Sequence, residues 1–174
     1  MYIDLQKYCL HPWYQIASFP QRYTRGCDFT RAIYTYTNNK IEVLNECFKF
    51  KNNTFIKYKN VHGTAESLNN INTRLKITFN ILPFIKVEGL YYILDIVSDV
   101  DNQQYLYVLV GGPDKDSLWI LSINTCIPKD IHDQFILKAK QLGYDTNKLE
   151  YDNFTKVIPN KLGLDKSECK VPIL

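Results

Sequence analysis

The chain has 174 residues, the size of one domain, and 45% of them are hydrophobic, so it buries a sizeable core and is not a disordered polymer. Thirteen Tyr and nine Phe suit half-buried pleated surfaces. The net charge is only +3 and its basic residues are scattered, which excludes the basic stripe of a nucleic-acid binder; no nucleic-acid partner is expected.

The start, MYIDLQKYCLHPW, lacks the basic and apolar regions of a signal peptide, and no apolar run reaches the ~18 residues of a membrane span. As written the chain reads as cytosolic, and as membrane-associated or secreted if the native start is longer. A short apolar strand is predicted over 14–19, ended by Pro20. An alternating run over 29–37 meets the turn signal Asn38-Asn39 and continues over 40–50, which predicts a hairpin. Further strands are predicted over 55–65, 73–80, 87–97, 105–110 and 118–123. Between them lie Asn52-Asn53, Asn69-Asn70, Leu82-Pro83, Asp99 to Asn102 and Gly111-Gly112-Pro113-Asp114, all turn chemistry. Eight strands without crossover helices exclude a parallel βαβ architecture.

The period then changes. Pro128 suits a first helical turn, Asp130 suits its dipole, and Ile131, Phe135, Ala139 and Leu142 make one apolar face. Gly143 ends the helix, placed at about 129–142. A short strand is expected over 148–152, and residues 155–174 read as an irregular tail behind a domain spanning 1–154. Eight antiparallel strands leave exposed edges unless the sheet closes. The expected fold is therefore all-β: an eight-stranded antiparallel up-and-down β-barrel with one C-terminal α-helix packed on its outside. Such a barrel is just wide enough for packed side chains or one small ligand.

Five cysteines are present, with no C-x-x-C spacing. His11, His62 and His132 show no metal-ligand spacing with them, so neither metal nor cofactor is expected. Two disulfides with one free thiol fit an oxidising compartment, and five reduced thiols fit a cytosolic one. Asn52 and Asn153 lie in N-x-[ST] sequons, which an Asn-rich chain also generates by chance.

From Trp13-Tyr14-Gln15-Ile16-Ala17-Ser18-Phe19-Pro20 onward the chain resembles the lipocalins, above all the bacterial outer-membrane lipocalins, the plant temperature-induced lipocalins and apolipoprotein D. The likeness continues in order through residues 40–46, His62-Gly63-Thr64-Ala65, Pro83-Phe84, residues 89–95, Gly112-Pro113-Asp114, residues 118–122 and Gly143-Tyr144-Asp145. It departs at His11 and Leu90, where the family carries Gly and Asp. It departs again at Ile123, where the family's Arg packs over the Trp at the closed end; a differently packed floor is expected there.

The resemblance implies which face of each strand points inward. The inner wall becomes Ala32, Tyr34, Val43, Val61, Ala65, Leu75, Ile77, Phe79, Tyr91, Ile93, Trp119 and Leu121, with Trp13 sealing the floor. These side chains either fill the barrel or line a ligand cavity; the small Ala32 and Ala65 favour the cavity, and Tyr34 and Tyr91 offer hydroxyls to a polar head. A sixteen-carbon chain releases roughly 12 kcal/mol on burial. Association costs at least ~4 kcal/mol. The remaining ~8 kcal/mol is micromolar affinity.

The expected function is non-catalytic binding, transport or scavenging of a hydrophobic small molecule, a fatty acid or a lysophospholipid, by a monomer or weak homodimer. Two alternatives stand beside it. One is a lipid-converting enzyme using Cys47, which faces inward by parity with Val43 and Asn45. The other is a protein-binding decoy acting through open-end loops taken as 64–72 and 80–86, where Pro83-Phe84-Ile85 could equally touch a membrane. By analogy with apolipoprotein D, the resemblance pairs Cys27 with Cys169; Cys9 and Cys126, beside motifs that meet at the closed end, form a second candidate bridge, leaving Cys47 as a buried hydrophobe.

Overall fold

Tight turns set the frame of the computed structural model, which describes residues 1–52 and 54–152. Asn38 and Asn39 both adopt positive φ, at 52° and 61°, the two-residue geometry whose twist matches flanking strands. Asn52, Asn72 and Asn102 take the same left-handed conformation at later turns, which Asn tolerates better than other side chains.

The strands are β1 (Trp13–Ser18), β2 (Phe29–Thr37), β3 (Lys40–Lys51), β4 (Thr54–Ser67), β5 (Arg74–Leu82), β6 (Ile85–Ser98), β7 (Tyr105–Gly111), β8 (Leu118–Ser122) and β9 (Glu150–Tyr151). Each pairs antiparallel with the next from β2 to β8; β8 pairs with β1 and β1 with β2, so the eight-stranded barrel closes. The register is long between β2 and β3, from Phe29↔Phe48 to Thr37↔Lys40. It is short between β1 and β2, which pair only at Trp13↔Ala32 and Tyr14↔Arg31. Beyond that point β9 takes over β1, pairing Ala17 with Tyr151 and Ser18 with Glu150.

Asp152 fills the split between β1 and β2. Its carboxylate accepts hydrogen bonds from Gln15 Nε2 at 2.7 Å and from the Thr30 backbone N–H at 2.8 Å. Burial pushes its pKa up to about 7, against the opposing pull of those donors. A folded pKa above the unfolded value means that the folded state holds the proton from about pH 4 to about pH 7. Stability from this group is full below that window and is lost as pH rises through it, at a slope of at most ~1.4 kcal/mol per pH unit. Urea melts from pH 4 to 8 are expected to show a steeper fall for the wild type than for Asp152→Asn. Parallel profiles would remove Asp152 as the source.

Helix α1 (Leu5–Tyr8) precedes the barrel, and α2 (Lys129–Gln141) follows it. The Asp4 side chain caps α1, accepting from the Gln6 and Lys7 N–H groups at 2.9 and 3.2 Å. In α2 Phe135 and Ala139 are buried against the outside of the barrel, in a cluster with Ile16, Leu109, Leu118 and Ile120. Gly143 adopts φ +85° just past the helix, and Tyr144 then donates its hydroxyl to Gly112 O at 2.8 Å. Pro128 proves to be the N-cap residue rather than the first helical one, and Leu142 lies at the edge of the buried face, exposed.

The cysteine pairing corrects the expectation. Cys27 is bonded to Cys47, with Cα atoms 5.5 Å apart, not to Cys169. Cys9 is a free thiol and therefore not the partner of Cys126, which is itself disulfide-bonded. The physical reason lies in β3, which turns Cys47 inward beneath the loop that carries Cys27, a proximity that no spacing reveals. Cys169 and the tail 155–174 lie outside the described residues.

Candidate ligand cavity

Strand direction sorts the connections onto two ends. One end carries the loop 19–28 and the turns β3–β4, β5–β6 and β7–β8; the other carries the turns β2–β3, β4–β5 and β6–β7 together with α1. The N-terminal segment closes the second end: Ile3 N–H donates to Ile71 O at 3.0 Å, and Asn72 Nδ2 donates to Ile3 O at 2.8 Å. Residues 64–72 thus belong to the closed end, a correction to the loop assignment, whereas 80–86 form an open-end hairpin.

Between the ends lies a cavity of about 340 Å³. Of the expected wall, Ala32, Tyr34, Val61, Ile77, Phe79, Tyr91, Trp119 and Leu121 line it, with Trp13 below. Val43, Ala65, Leu75 and Ile93 are buried in the same interior cluster but fill the barrel rather than border open space. Gly89 also faces the cavity, and a Cβ built there meets nothing within 4 Å.

The floor is aromatic and hydroxylated. Trp13 donates its indole N–H to Tyr8 O at 2.9 Å, and the two rings lie 5.1 Å apart. Tyr8 of α1 thereby packs on the tryptophan, while Ile123, at the position of the family's Arg, is partly buried in the same interior cluster. The Tyr8 and Tyr91 hydroxyls are 2.6 Å apart. Burial raises the pKa of Tyr8, Tyr34 and Tyr91 well above the ordinary phenol value, so all three stay neutral hydrogen-bonding groups. Cys9 nearby is also driven up, to about 12, which removes any thiolate character.

The open end is partly roofed by the loop 19–28, whose Gln21, Tyr23 and Thr24 border the cavity. Tyr23 donates its hydroxyl to Asn45 O at 2.9 Å, and the Cys27–Cys47 bond fastens the loop to β3. Cys47 is fully buried and oxidised in this bond, so the thiol required by the catalytic reading is not free. Outside the wall, Glu46 is only 2% exposed and is paired with Arg31 Nε at 2.6 Å and with Lys57, which together hold its carboxyl below the usual range despite its burial.

The cavity has two faces. Val61, Ile77, Phe79, Ile81, Val87 and Leu121 are apolar, whereas Gln15, Gln21, Tyr23, Thr24, Thr30, Arg31 and Asn45 supply polar atoms. Thr30 and Asn45 fall on the inward parity of Ala32 and Val43, whereas Gln21, Tyr23 and Thr24 lie in the loop 19–28, to which strand parity does not apply. Among the described residues no group of three or more His, Cys, Asp or Glu is placed to hold a metal, and no helix is long and apolar enough to cross a membrane.

A family model described as a lipocalin-like domain matches residues 3–153. Temperature-induced lipocalin-1 of Arabidopsis thaliana is 35% identical over 153 residues, covering 84% of this chain and 77% of the relative. The outer membrane lipoprotein Blc of Vibrio cholerae is 31% identical over 150 residues, covering 85% and 81%. Among solved structures, insecticyanin from the tobacco hornworm Manduca sexta superposes with a TM-score of 0.64 at 21% identity, covering 87% of this chain and 81% of that one.

Proposed function

The chain belongs to the lipocalin family, whose members bind small hydrophobic ligands and are generally not enzymes, and from that premise we propose that it carries or scavenges a single-chain lipid, a fatty acid or lysophospholipid, inside the barrel. The observation that carries this reading is the 340 Å³ space between the Trp13 floor and the open end. A 150 Å³ apolar cavity holds benzene, so at the same filling this one holds about fourteen non-hydrogen atoms. A chain of that length enters tail first and leaves its head group at the mouth. There Arg22, Arg25, Lys51 and Lys86 are exposed, a setting suited to an acidic head. Burying about fourteen carbons releases roughly 11 kcal/mol. After the cost of association, low-micromolar affinity is expected. Displacement of an apolar fluorophore by tetradecanoate and by a tetradecanoyl lysophospholipid is the test. Failure of both to displace it below about 100 μM would contradict the proposal.

A second reading, peripheral membrane contact at the mouth, is favoured by one feature. Phe84 is 98% exposed at the tip of the β5–β6 hairpin, flanked by the exposed Ile81, Ile85 and Val87. Ligand exchange with a bilayer would then pass beside this apolar tip. Vesicle co-sedimentation is expected to weaken in Phe84→Ser; equal sedimentation would remove the reading and leave the carrier reading standing. A monomer or weak homodimer is the expected state, to be read by sedimentation velocity.

A further inference from the structure

Among the described residues, one buried side-chain atom at the cavity has no hydrogen-bond partner. The Oδ1 atom of Asn45 is buried and makes no hydrogen bond, whereas most buried polar atoms in folded proteins are paired. The register explains why the wall cannot satisfy it. Asn45 stands opposite Ala32 on β2 and Val61 on β4, and its inward neighbours along β3 are Val43 and the disulfide-bonded Cys47. None of these side chains donates a hydrogen bond. The nearby Tyr23 hydroxyl is committed to the Asn45 backbone carbonyl, and Gln15 and Thr30 are committed to Asp152. Gln21 and Arg31 also border the cavity, but neither is hydrogen-bonded to Asn45, whose Oδ1 is thus left to a donor brought into the same space by a bound molecule.

We propose that the ligand carries a hydrogen-bond donor, a hydroxyl or an amide N–H, that meets Asn45 Oδ1 inside the barrel. The inference rests on the carrier reading and narrows it: a hydroxyl-bearing lysophospholipid or a fatty amide satisfies Asn45, and a bare carboxylate, which only accepts, does not. A ligand lacking the donor leaves the carbonyl buried and unpaired, which lowers affinity about tenfold or more.

Three probes of about fourteen non-hydrogen atoms, matched to the cavity, separate the possibilities: dodecanamide, 1-tridecanol and methyl undecanoate. The first two carry a donor and the third has none, and all are uncharged. In displacement titrations of the wild-type protein, the amide and the alcohol are expected to bind about tenfold tighter than the ester. Asn45→Leu is expected to abolish that preference while keeping or improving ester binding. Ester binding equal to that of the amide and the alcohol would overturn this inference alone, as would a preference that survives in Asn45→Leu. Binding of none of the three by the wild type would overturn the carrier reading and this inference with it. The wild-type series decides the matter even if the variant fails to fold.

Discussion

Gly89→Trp is expected to lower ligand affinity at least about 100-fold while the barrel stays folded. Gly89 sits in β6 opposite Ile77, with its missing side chain directed at open space rather than at a neighbour. A Trp side chain brings ten non-hydrogen atoms into a cavity that holds about fourteen. The displaced ligand atoms carry most of the ~0.8 kcal/mol per methylene on which binding depends. The backbone at Gly89 does not require glycine, because its φ is not in the left-handed region. Glycine also weakens a strand interior by about 0.5–1 kcal/mol, so the thermal midpoint is expected to hold or rise. Fluorophore displacement read beside a thermal melt checks both halves. Undiminished affinity in a folded Gly89→Trp protein would place the ligand outside the barrel.

Removing the Cys27–Cys47 bond has the largest expected effect on stability. Its sequence separation is 20 residues, for which loop-closure entropy predicts a loss of about 3 kcal/mol in the double variant Cys27→Ala/Cys47→Ala. For a chain of this size that corresponds to a midpoint roughly 6–12 °C lower. The consequence reaches the cavity, because apart from this bond the loop 19–28 that roofs the mouth is held to β3 and β4 by non-covalent contacts. They include Tyr23 to Asn45 O, the Asp28 N–H to Phe48 O, the Phe50 N–H to the Asp28 carboxylate, and Lys59 to Arg25 O. Faster ligand release is expected along with the lower midpoint. Differential scanning calorimetry with stopped-flow displacement reads both; an unchanged midpoint in the double variant would show that this bond does not brace the fold.

The barrel was legible because its signals are local and periodic. Alternation along 74–79 and the turn chemistry at Asn38-Asn39 determine faces and hairpin register with little help from distant residues. The inward positions at Ala32, Ile77, Tyr91 and Leu121 follow from the same period of two once the family resemblance sets its phase. What escaped depends on contacts remote in sequence. Helix α1 is four residues long, too short to carry a helical period, and holds its shape through the Asp4 cap and the burial of Tyr8. The partner of Cys27 was hidden because β3 brings Cys47 beneath a loop twenty residues away, and the analogy with apolipoprotein D pointed elsewhere. Asp152 reads as the end of a short strand over 148–152, but its place in the split between β1 and β2 depends on where that strand pairs. Asn45 stood out only by being polar at an inward position; its lack of a partner depends on Ala32 and Val61 lying on either side.

Native mass spectrometry of the wild type and Gly89→Trp, each mixed with the same equimolar set of fatty acids, lysophospholipids and fatty amides, tests the central claim most directly. A single 1:1 lipid adduct on the wild type, absent from the folded Gly89→Trp protein, is the predicted result. A bare wild-type mass, or an equal adduct on both proteins, would contradict the account of a ligand held inside the barrel.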